Sequence, residues 1–166
     1  VSLRNHTESV IEQVKQFIGR LSLPDDLTQG LLLAAKWHDL GKRRPLWQRS
    51  IGNPDPEVWY AKSGKPANGP RWKSRRLSDY RHELGSVLDV LDNSQPYLGE
   101  LEQLDDELKD LVLHLVPAHH GRARPHFPSE ELYDPAPGHD AVAREQAVEI
   151  PRRFARLQQK WGRWGL

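Results

Sequence analysis

Apolar residues recur at steps of three and four along most of this 166-residue chain, and this spacing predicts amphipathic helices. The first predicted helix covers residues 6–21, with Asn5 and Glu8 resembling a capping box at its start. The second covers about residues 25–40 and ends at Gly41. No strand-like alternation of any length is present in the sequence. The pattern therefore predicts an all-α fold, a helical bundle of about five to seven helices.

Three further helices are predicted in the second half of the chain. One begins near Ser78, the next ends around Pro117, and the last runs from about Asp140 with an expected kink at Pro151. The proline-rich residues 122–138 are predicted to form a loop. The apolar stripes behind the five predictions are Val10, Val14, Phe17 and Leu21; Leu27, Leu31, Ala34 and Ala35; Leu84, Leu88 and Leu91; Leu104, Leu108, Leu111 and Leu115; and Val148, Phe154, Leu157 and Trp161.

The composition limits the class of protein. With 37% hydrophobic and 28% charged residues, residues 1–166 are expected to form a single domain with its own core. The chain has no Cys, so a metal would have to be held by imidazole and carboxylate groups. No apolar stretch approaches the roughly 20 residues that a membrane span needs, and a cytoplasmic location is expected. Because the chain contains no Met, Val1 is not a translation start, and we expect a piece of a larger protein.

A locally basic segment interrupts the helical pattern. No Asp or Glu occurs between Glu57 and Asp79. The segment combines cations with aromatic rings, which suits a long loop insertion that presents charge to phosphates and rings to unstacked bases. A solvated, partly disordered insertion explains the same composition equally well. The candidate nucleic-acid-binding residues here are Trp59, Lys62, Lys65, Arg71, Trp72, Lys73, Arg75 and Arg76.

Histidines mark the candidate functional site. His38 and Asp39 are adjacent and supply an imidazole and a carboxylate able to bridge two cations, and His119 and His120 form a second pair downstream. A lone His on an apolar helix face is more often a satisfied core residue than a metal ligand. The three positions to which this applies are His6, His82 and His114. The combined set nevertheless lies at helix ends and core-facing positions, as in metal clusters of helical bundles, and predicts a polynuclear site for hydrolysis.

Four stretches of sequence carry a family resemblance. They are His-Asp-Leu-Gly-Lys at residues 38–42, His6 one helix upstream, Tyr-Arg-His-Glu ending at Glu83, and Ala-His-His-Gly at residues 118–121 followed by Arg124. Together they resemble the HD nuclease domain of the CRISPR-associated type I interference helicase-nuclease, a branch of the HD phosphohydrolase superfamily. The resemblance spans residue 6 to about residue 164.

This resemblance implies an HD-domain helical bundle and a metal-dependent endonuclease that cleaves single-stranded DNA with a metal-activated water. It also implies two partners in antiviral defence. One is a helicase domain, in the same protein or on a separate chain. The other is a CRISPR guide-RNA surveillance complex.

The resemblance also assigns roles to individual residues. The implied ligands are His6 and His38 for a first metal, Asp39 as the bridge, and His82, His119 and His120 for a second metal. Lys42 is the second catalytic candidate beside Asp39. It could offset charge on the reacting phosphate, or act only as a cation favourable to the end of the second helix. Arg124 is expected to join the nucleic-acid contacts. Such ligands suit manganese, nickel, cobalt or iron better than magnesium.

The sequence departs from the family pattern in one respect. Family members carry a further Asp late in the domain that completes the ligands of the first metal, and the expected position lies just beyond Leu166. Asp134 and Asp140 are possible substitutes, and an incomplete first site is expected. Two other functions remain open. One is an HD-superfamily phosphohydrolase acting on a nucleotide or cyclic dinucleotide, and the other is a catalytically silent nucleic-acid-binding module.

Overall fold

The computed structural model describes residues 1–62, 80–121, 123 and 125–162. This part of the chain contains helices and no β-strand, so the predicted all-α fold is confirmed. None of its helices is both long and apolar enough to cross a membrane. The helices are α1 (Leu3–Leu21), α2 (Asp25–Trp37), α3 (Pro45–Ser50), α4 (His82–Leu91), α5 (Tyr97–Glu102), α6 (Asp106–Ala118) and α7 (Asp140–Trp161), with 3₁₀ turns at Leu40–Arg43 and Ser129–Glu131.

Helix α6 is the centre of the bundle, because it packs against α2, α4 and α7. The main core forms around the wholly buried Trp37, Val112 and Val116. Burying side chains of this size contributes on the order of 1.5–3 kcal/mol each. Helices α2 and α6 approach closely at Gly30, where an added Cβ would come within 2.7 Å of Leu108. This packing brings the C-terminal ends of both helices to the same region of the bundle.

The 3₁₀ turn after α2 is fixed against α4. The Gly41 amide donates to Ser86 Oγ at 2.9 Å, and that hydroxyl lies 2.8 Å from the carbonyl oxygens of both His38 and His82. The Tyr80 hydroxyl donates to the Gly41 carbonyl at 2.6 Å. A Cβ at Gly41 would overlap the His82 carbonyl oxygen, so only glycine permits this approach. The contact places the His-Asp pair beside the first residue of α4.

Several predicted boundaries need correction. The N-cap of α1 is Ser2, whose hydroxyl accepts from the Asn5 amide at 3.2 Å, so the capping box predicted from Asn5 and Glu8 is wrong. Helix α2 ends at Trp37, three residues before the predicted end, because the chain turns into the 3₁₀ segment. Helix α4 begins at His82, and the predicted start near Ser78 lies outside the described residues. Helix α7 begins at Asp140 as predicted and runs across Pro151 as one element, and the kink there stays a prediction.

The apolar stripes overestimated burial near the end of α1 and within α7. Phe17 and Leu21 of α1 and Val148 of α7 are at least half exposed, because no element packs over them among the described residues. The six-residue helices α3 and α5 were not predicted, since segments of this length are too short to show a helical period.

Candidate metal centre

Four separate parts of the fold bring the six predicted metal ligands together. His6 lies on α1, and His38 and Asp39 follow the last residue of α2. His82 is the first residue of α4, and the pair of residues 119–120 follows the end of α6. The side chain of Asp39 is 1% exposed and lies at the centre of the group.

The two carboxylate oxygens of Asp39 face two different sets of imidazoles. Oδ2 lies 3.2 Å from His6 Nε2 and 3.3 Å from His38 Nε2. Oδ1 lies 3.3 Å from His82 Nε2 and 3.5 Å from His119 Nε2. His120 joins the second set, in which one ligand atom from each residue lies within 4.8 Å of all the others. Asp39 is therefore shared by two groups of potential metal ligands.

Hydrogen bonds on the far side of the rings orient two of these imidazoles. His38 Nδ1 lies 2.7 Å from the Ala35 carbonyl oxygen, and His119 Nδ1 lies 2.7 Å from the Val116 carbonyl oxygen. A carbonyl oxygen can only accept, so in each ring Nδ1 carries a proton, and Nε2 is the nitrogen that faces Asp39. Each carbonyl belongs to the last turn of a helix, where backbone acceptors lack partners within the helix.

Glu83 lies on the far side of the His82 ring, close to it but without a hydrogen bond. Its Oε2 lies 3.2 Å from His82 Nδ1, and both side chains are buried. A carboxylate behind a ligand imidazole fixes the ring and makes the opposite nitrogen a stronger donor to a metal. Glu83 was not assigned a role from the sequence, although its position directly after His82 in the Arg-His-Glu run was the available signal.

Three buried atoms at the centre of the group have no hydrogen-bond partner among the described residues. They are Asp39 Oδ1, His82 Nε2 and His119 Nε2. The atoms are close to one another but poorly aligned for hydrogen bonding. A divalent cation would satisfy all three at once. The residues present therefore fit a metal held by nitrogen and oxygen donors.

Burial and the imidazoles set the protonation states. Burial alone would raise the pKa of Asp39, but the imidazoles of His119, His38 and His82 outweigh this effect and hold it far below its usual range. Burial lowers the pKa of His82, and it does the same for His6 and His120. The carboxylate is thus charged and these rings are neutral near pH 7, which are the forms that bind a metal.

Lys42 contacts Asp39 directly. Its Nζ lies 2.6 Å from Asp39 Oδ2 and 5.5 Å from the centre of the Trp47 ring, and the residue is 5% exposed. Lys42 contacts these two side chains and not the last carbonyl groups of α2. A cation that only stabilised the C-terminal end of that helix would lie at those carbonyl groups. The Trp47 ring also lies 4.8 Å from the His82 ring, a contact that the sequence did not indicate.

Neither of the two possible substitutes for the late Asp of the family joins the group. Both oxygens of Asp134 accept from Arg44 at 2.8 Å, and Oδ2 also lies 3.0 Å from His139 Nδ1. Asp140 is exposed at the first residue of α7. The prediction that one of them replaces the missing ligand is not supported, because Asp134 is paired with the half-buried Arg44 and Asp140 lies outside the group.

The candidate nucleic-acid-binding residues are only partly described. Trp59 is 46% exposed, and the Arg43 guanidinium carbon lies 4.9 Å from the centre of its ring. Lys62 is exposed. The remaining candidates lie outside the described residues, namely Lys65, Arg71, Trp72, Lys73, Arg75, Arg76 and Arg124.

A helical bundle that gathers an adjacent His-Asp pair with imidazoles from three other places in the chain defines the HD class of metal-dependent hydrolases. Residues 3–165 match the family described as "Cas3, HD domain", and the chain belongs to this family. The resemblance found in the sequence motifs is thereby confirmed. Searches among curated proteins and among solved structures found no significant match.

Proposed function

We propose that this chain is a metal-dependent nuclease that cleaves single-stranded DNA in CRISPR type I interference. In this role it would act with a helicase domain, in the same protein or on a separate chain, and with a guide-RNA surveillance complex. The observation that carries the proposal is the position of Asp39, whose two oxygens face two separate sets of imidazoles. Membership of the Cas3 HD-domain family supports a hydrolase acting on nucleic acid.

The ligand roles follow from this arrangement. Oδ2 of Asp39 would hold one divalent ion together with His6 and His38. Oδ1 would hold a second together with His82 and the histidine pair at 119–120. Bound ions would supply a Lewis acid for the scissile phosphate and lower the pKa of a coordinated water. Imidazole and carboxylate donors suit manganese, nickel, cobalt or iron better than magnesium.

The chain itself contributes orientation and a protected environment. The carbonyl groups of Ala35 and Val116 hold two imidazoles with Nε2 toward Asp39, and the carboxylate of Glu83 lies 3.2 Å from Nδ1 of a third, His82. Burial of Asp39 keeps bulk water from screening its charge, which strengthens its interaction with a cation. Lys42 balances part of that charge. The hydrolysis needs no side-chain nucleophile, so the absence of Cys from the sequence is no obstacle.

Two features favour a single strand as the substrate. Trp59 exposes an aromatic ring backed by Arg43, and bases can stack on such a ring only where they are free of a duplex. The sequence that follows Trp59 has no Asp or Glu until Asp79 and carries six cations, which suits contacts to backbone phosphates.

Cleavage of a labelled single-stranded oligonucleotide tests the proposal, with each candidate metal added to metal-free protein. We expect metal-dependent cleavage that is lost in Asp39→Asn and retained in Asp140→Asn, an exposed carboxylate outside the metal centre. A panel of nucleotides and cyclic dinucleotides is assayed in parallel. Hydrolysis of the panel without DNA cleavage would identify a nucleotide phosphohydrolase. Bound metal with no hydrolysis of either substrate class would contradict an enzymatic role, as would the absence of any metal on elemental analysis.

A further inference from the structure

A cavity of about 640 Å³ lies beside the metal centre, and Asp39 forms part of its wall. The other walls come from the start of α1, the end of α2, Tyr97 of α5 and residues 57–59. Apolar side chains make up much of this lining, among them Leu3, Val58 and Trp59. A mostly apolar cleft beside the metal centre is suited to hold a flat apolar part of the substrate near the reacting group.

Trp59 is presented to this cleft on a fixed backbone. The Trp59 carbonyl oxygen accepts from the Leu3 amide at 2.7 Å. This bond belongs to an isolated antiparallel β-bridge that pairs Ser2 with Tyr60. The side chain of Gln48 binds both the amide and the carbonyl group of Tyr60, each at 3.0 Å. Such a fixed backbone reduces the conformational entropy that would be lost when a ligand packs on the ring. This half-exposed ring is therefore already positioned for contact.

Arg43 adds a held positive charge to the same wall. Its guanidinium lies between the Trp59 and Tyr97 rings, at 4.9 Å and 5.9 Å from their centres, and its Nη1 donates to the Tyr97 hydroxyl at 2.6 Å. A guanidinium plane that packs on aromatic rings can also stack on a nucleobase, and its charge attracts a phosphate.

We propose that this cleft is a base subsite, in which Trp59, Arg43 and Tyr97 receive one unstacked nucleobase of the strand whose neighbouring phosphate lies at the metal centre. The inference rests on the proposed nuclease function and adds a position at which the strand is held next to the reacting phosphate. A free mononucleotide shares the chemistry of this ligand. The strand is favoured because the basic segment follows Trp59 directly in the sequence and can contact further phosphates.

Fluorescence anisotropy in EDTA, where no cleavage occurs, tests the subsite with two labelled probes of equal length. One is a single-stranded thymidine homopolymer, and the other is the same backbone with abasic tetrahydrofuran residues. We expect the wild-type chain to prefer the homopolymer about tenfold, which is within the range for stacking of one base on an aromatic side chain. Trp59→Ala should remove this preference, and Trp59→Phe should keep most of it because a phenyl ring still stacks.

Tyr133→Ala is the matched control, because Tyr133 is also 46% exposed but does not line the cleft. It should keep the wild-type preference. Equal binding of the two probes by the wild-type chain, or an unchanged preference in Trp59→Ala, would overturn the subsite while DNA cleavage by the wild-type chain still supports the nuclease. Thymidine monophosphate is also tested as a competitor of the labelled homopolymer. If it bound as strongly per site as the homopolymer, the cleft would be a mononucleotide pocket and not a subsite for a strand. A wild-type chain that neither binds nor cleaves single-stranded DNA would overturn both proposals.

Discussion

Lys42 binds the same oxygen of Asp39 that His6 and His38 face. Its Nζ lies 2.6 Å from Oδ2, whereas Oδ1 has no hydrogen-bond partner among the described residues. The two sides of the carboxylate therefore differ before any metal binds. A cation on the Oδ2 side must compete with a buried ammonium group, and a cation on the Oδ1 side meets unpaired acceptors.

This asymmetry predicts an order of metal loading. We expect a calorimetric titration with Mn²⁺ to show one tighter site, on the Oδ1 side, and one weaker site. Lys42→Met should tighten the weaker site by about tenfold or more, because a hydrogen bond between charged groups contributes roughly 1.5–3 kcal/mol. Lys109→Met is the control, since Lys109 pairs with the exposed Asp106 away from the metal centre. If the affinity of the weaker site were unchanged in Lys42→Met, the predicted order of metal loading would be contradicted.

The close approach at Gly41 predicts that a larger residue at this position lowers both the stability of the chain and its affinity for metal. Gly41→Ala should lower the free energy of unfolding by about 1–3 kcal/mol, because the new methyl group must push the turn away from the His82 carbonyl. The same movement should separate Asp39 from His82 and weaken metal binding. Urea denaturation and metal titration of the same preparation measure the two effects.

Gly19→Ala is the matched control for that substitution. Gly19 lies inside α1, and an added Cβ there meets no atom within 4 Å. It should raise the free energy of unfolding by about 0.5–1 kcal/mol, since alanine is the better residue within a helix. If Gly41→Ala also stabilised the chain, the contact between the turn and α4 would not be as close as described.

The lowered pKa values of three imidazoles predict that the metal-free chain loses stability on acidification. Burial lowers the pKa of His82, His6 and His120, while the unfolded chain titrates near pH 6.5. Below that pH the unfolded state binds more protons, so the free energy of unfolding falls as pH falls and levels off below the folded pKa values. Asp39, whose pKa is also depressed, acts in the same direction below about pH 4.

Urea denaturation between pH 8 and pH 5 in EDTA measures this dependence. His82→Gln should flatten the profile, because it removes one of the buried groups that titrate. Metal binding should weaken over the same range, since protons compete for the imidazoles. Stability that is constant or rises between pH 6.5 and pH 5 would show that the rings are not buried in their neutral form.

The basic segment predicts a salt-dependent contribution to DNA binding. Replacing Lys73, Arg75 and Arg76 together by Gln should weaken binding to single-stranded DNA. It should also reduce the slope of log affinity against log salt by roughly 2, at about 0.7 per phosphate contact. A control triple variant removes exposed cations on α1 and α7, at Lys15, Arg20 and Arg152. Equal slopes for the two triple variants would mean that the segment makes no specific phosphate contacts.

The sequence predicted long helices, in which an apolar pattern repeats over several turns, better than it predicted short ones. Helix α1 and helix α7 were found within a few residues, because each carries several turns of a repeating pattern. Helices α3 and α5 have only six residues each and leave no such pattern. The exposed Phe17 shows a second limit, since periodicity identifies an apolar face but not whether another element covers it.

The candidate ligands could be identified from the sequence, but not their supporting contacts. The His-Asp motif and the paired histidines are local signals, and the structure brings them together. The orientation of His38 and His119 depends on backbone carbonyl groups, which every residue possesses and which therefore leave no sequence signal. The bond from Lys42 to Asp39 depends on the 3₁₀ turn at Leu40–Arg43, which begins at the predicted end of the second helix and forms against α4.

The β-bridge between Ser2 and Tyr60 has a consequence for communication between sites. It joins the backbone that carries Trp59 to the residue that caps α1, and His6 lies one turn farther along that helix, with its amide bound to the Ser2 carbonyl at 3.0 Å. A base that packs on Trp59 would therefore stabilise the same backbone arrangement that positions His6. We expect the affinities for DNA and for metal to be linked, and by thermodynamic reciprocity each ligand must change the affinity for the other by the same factor.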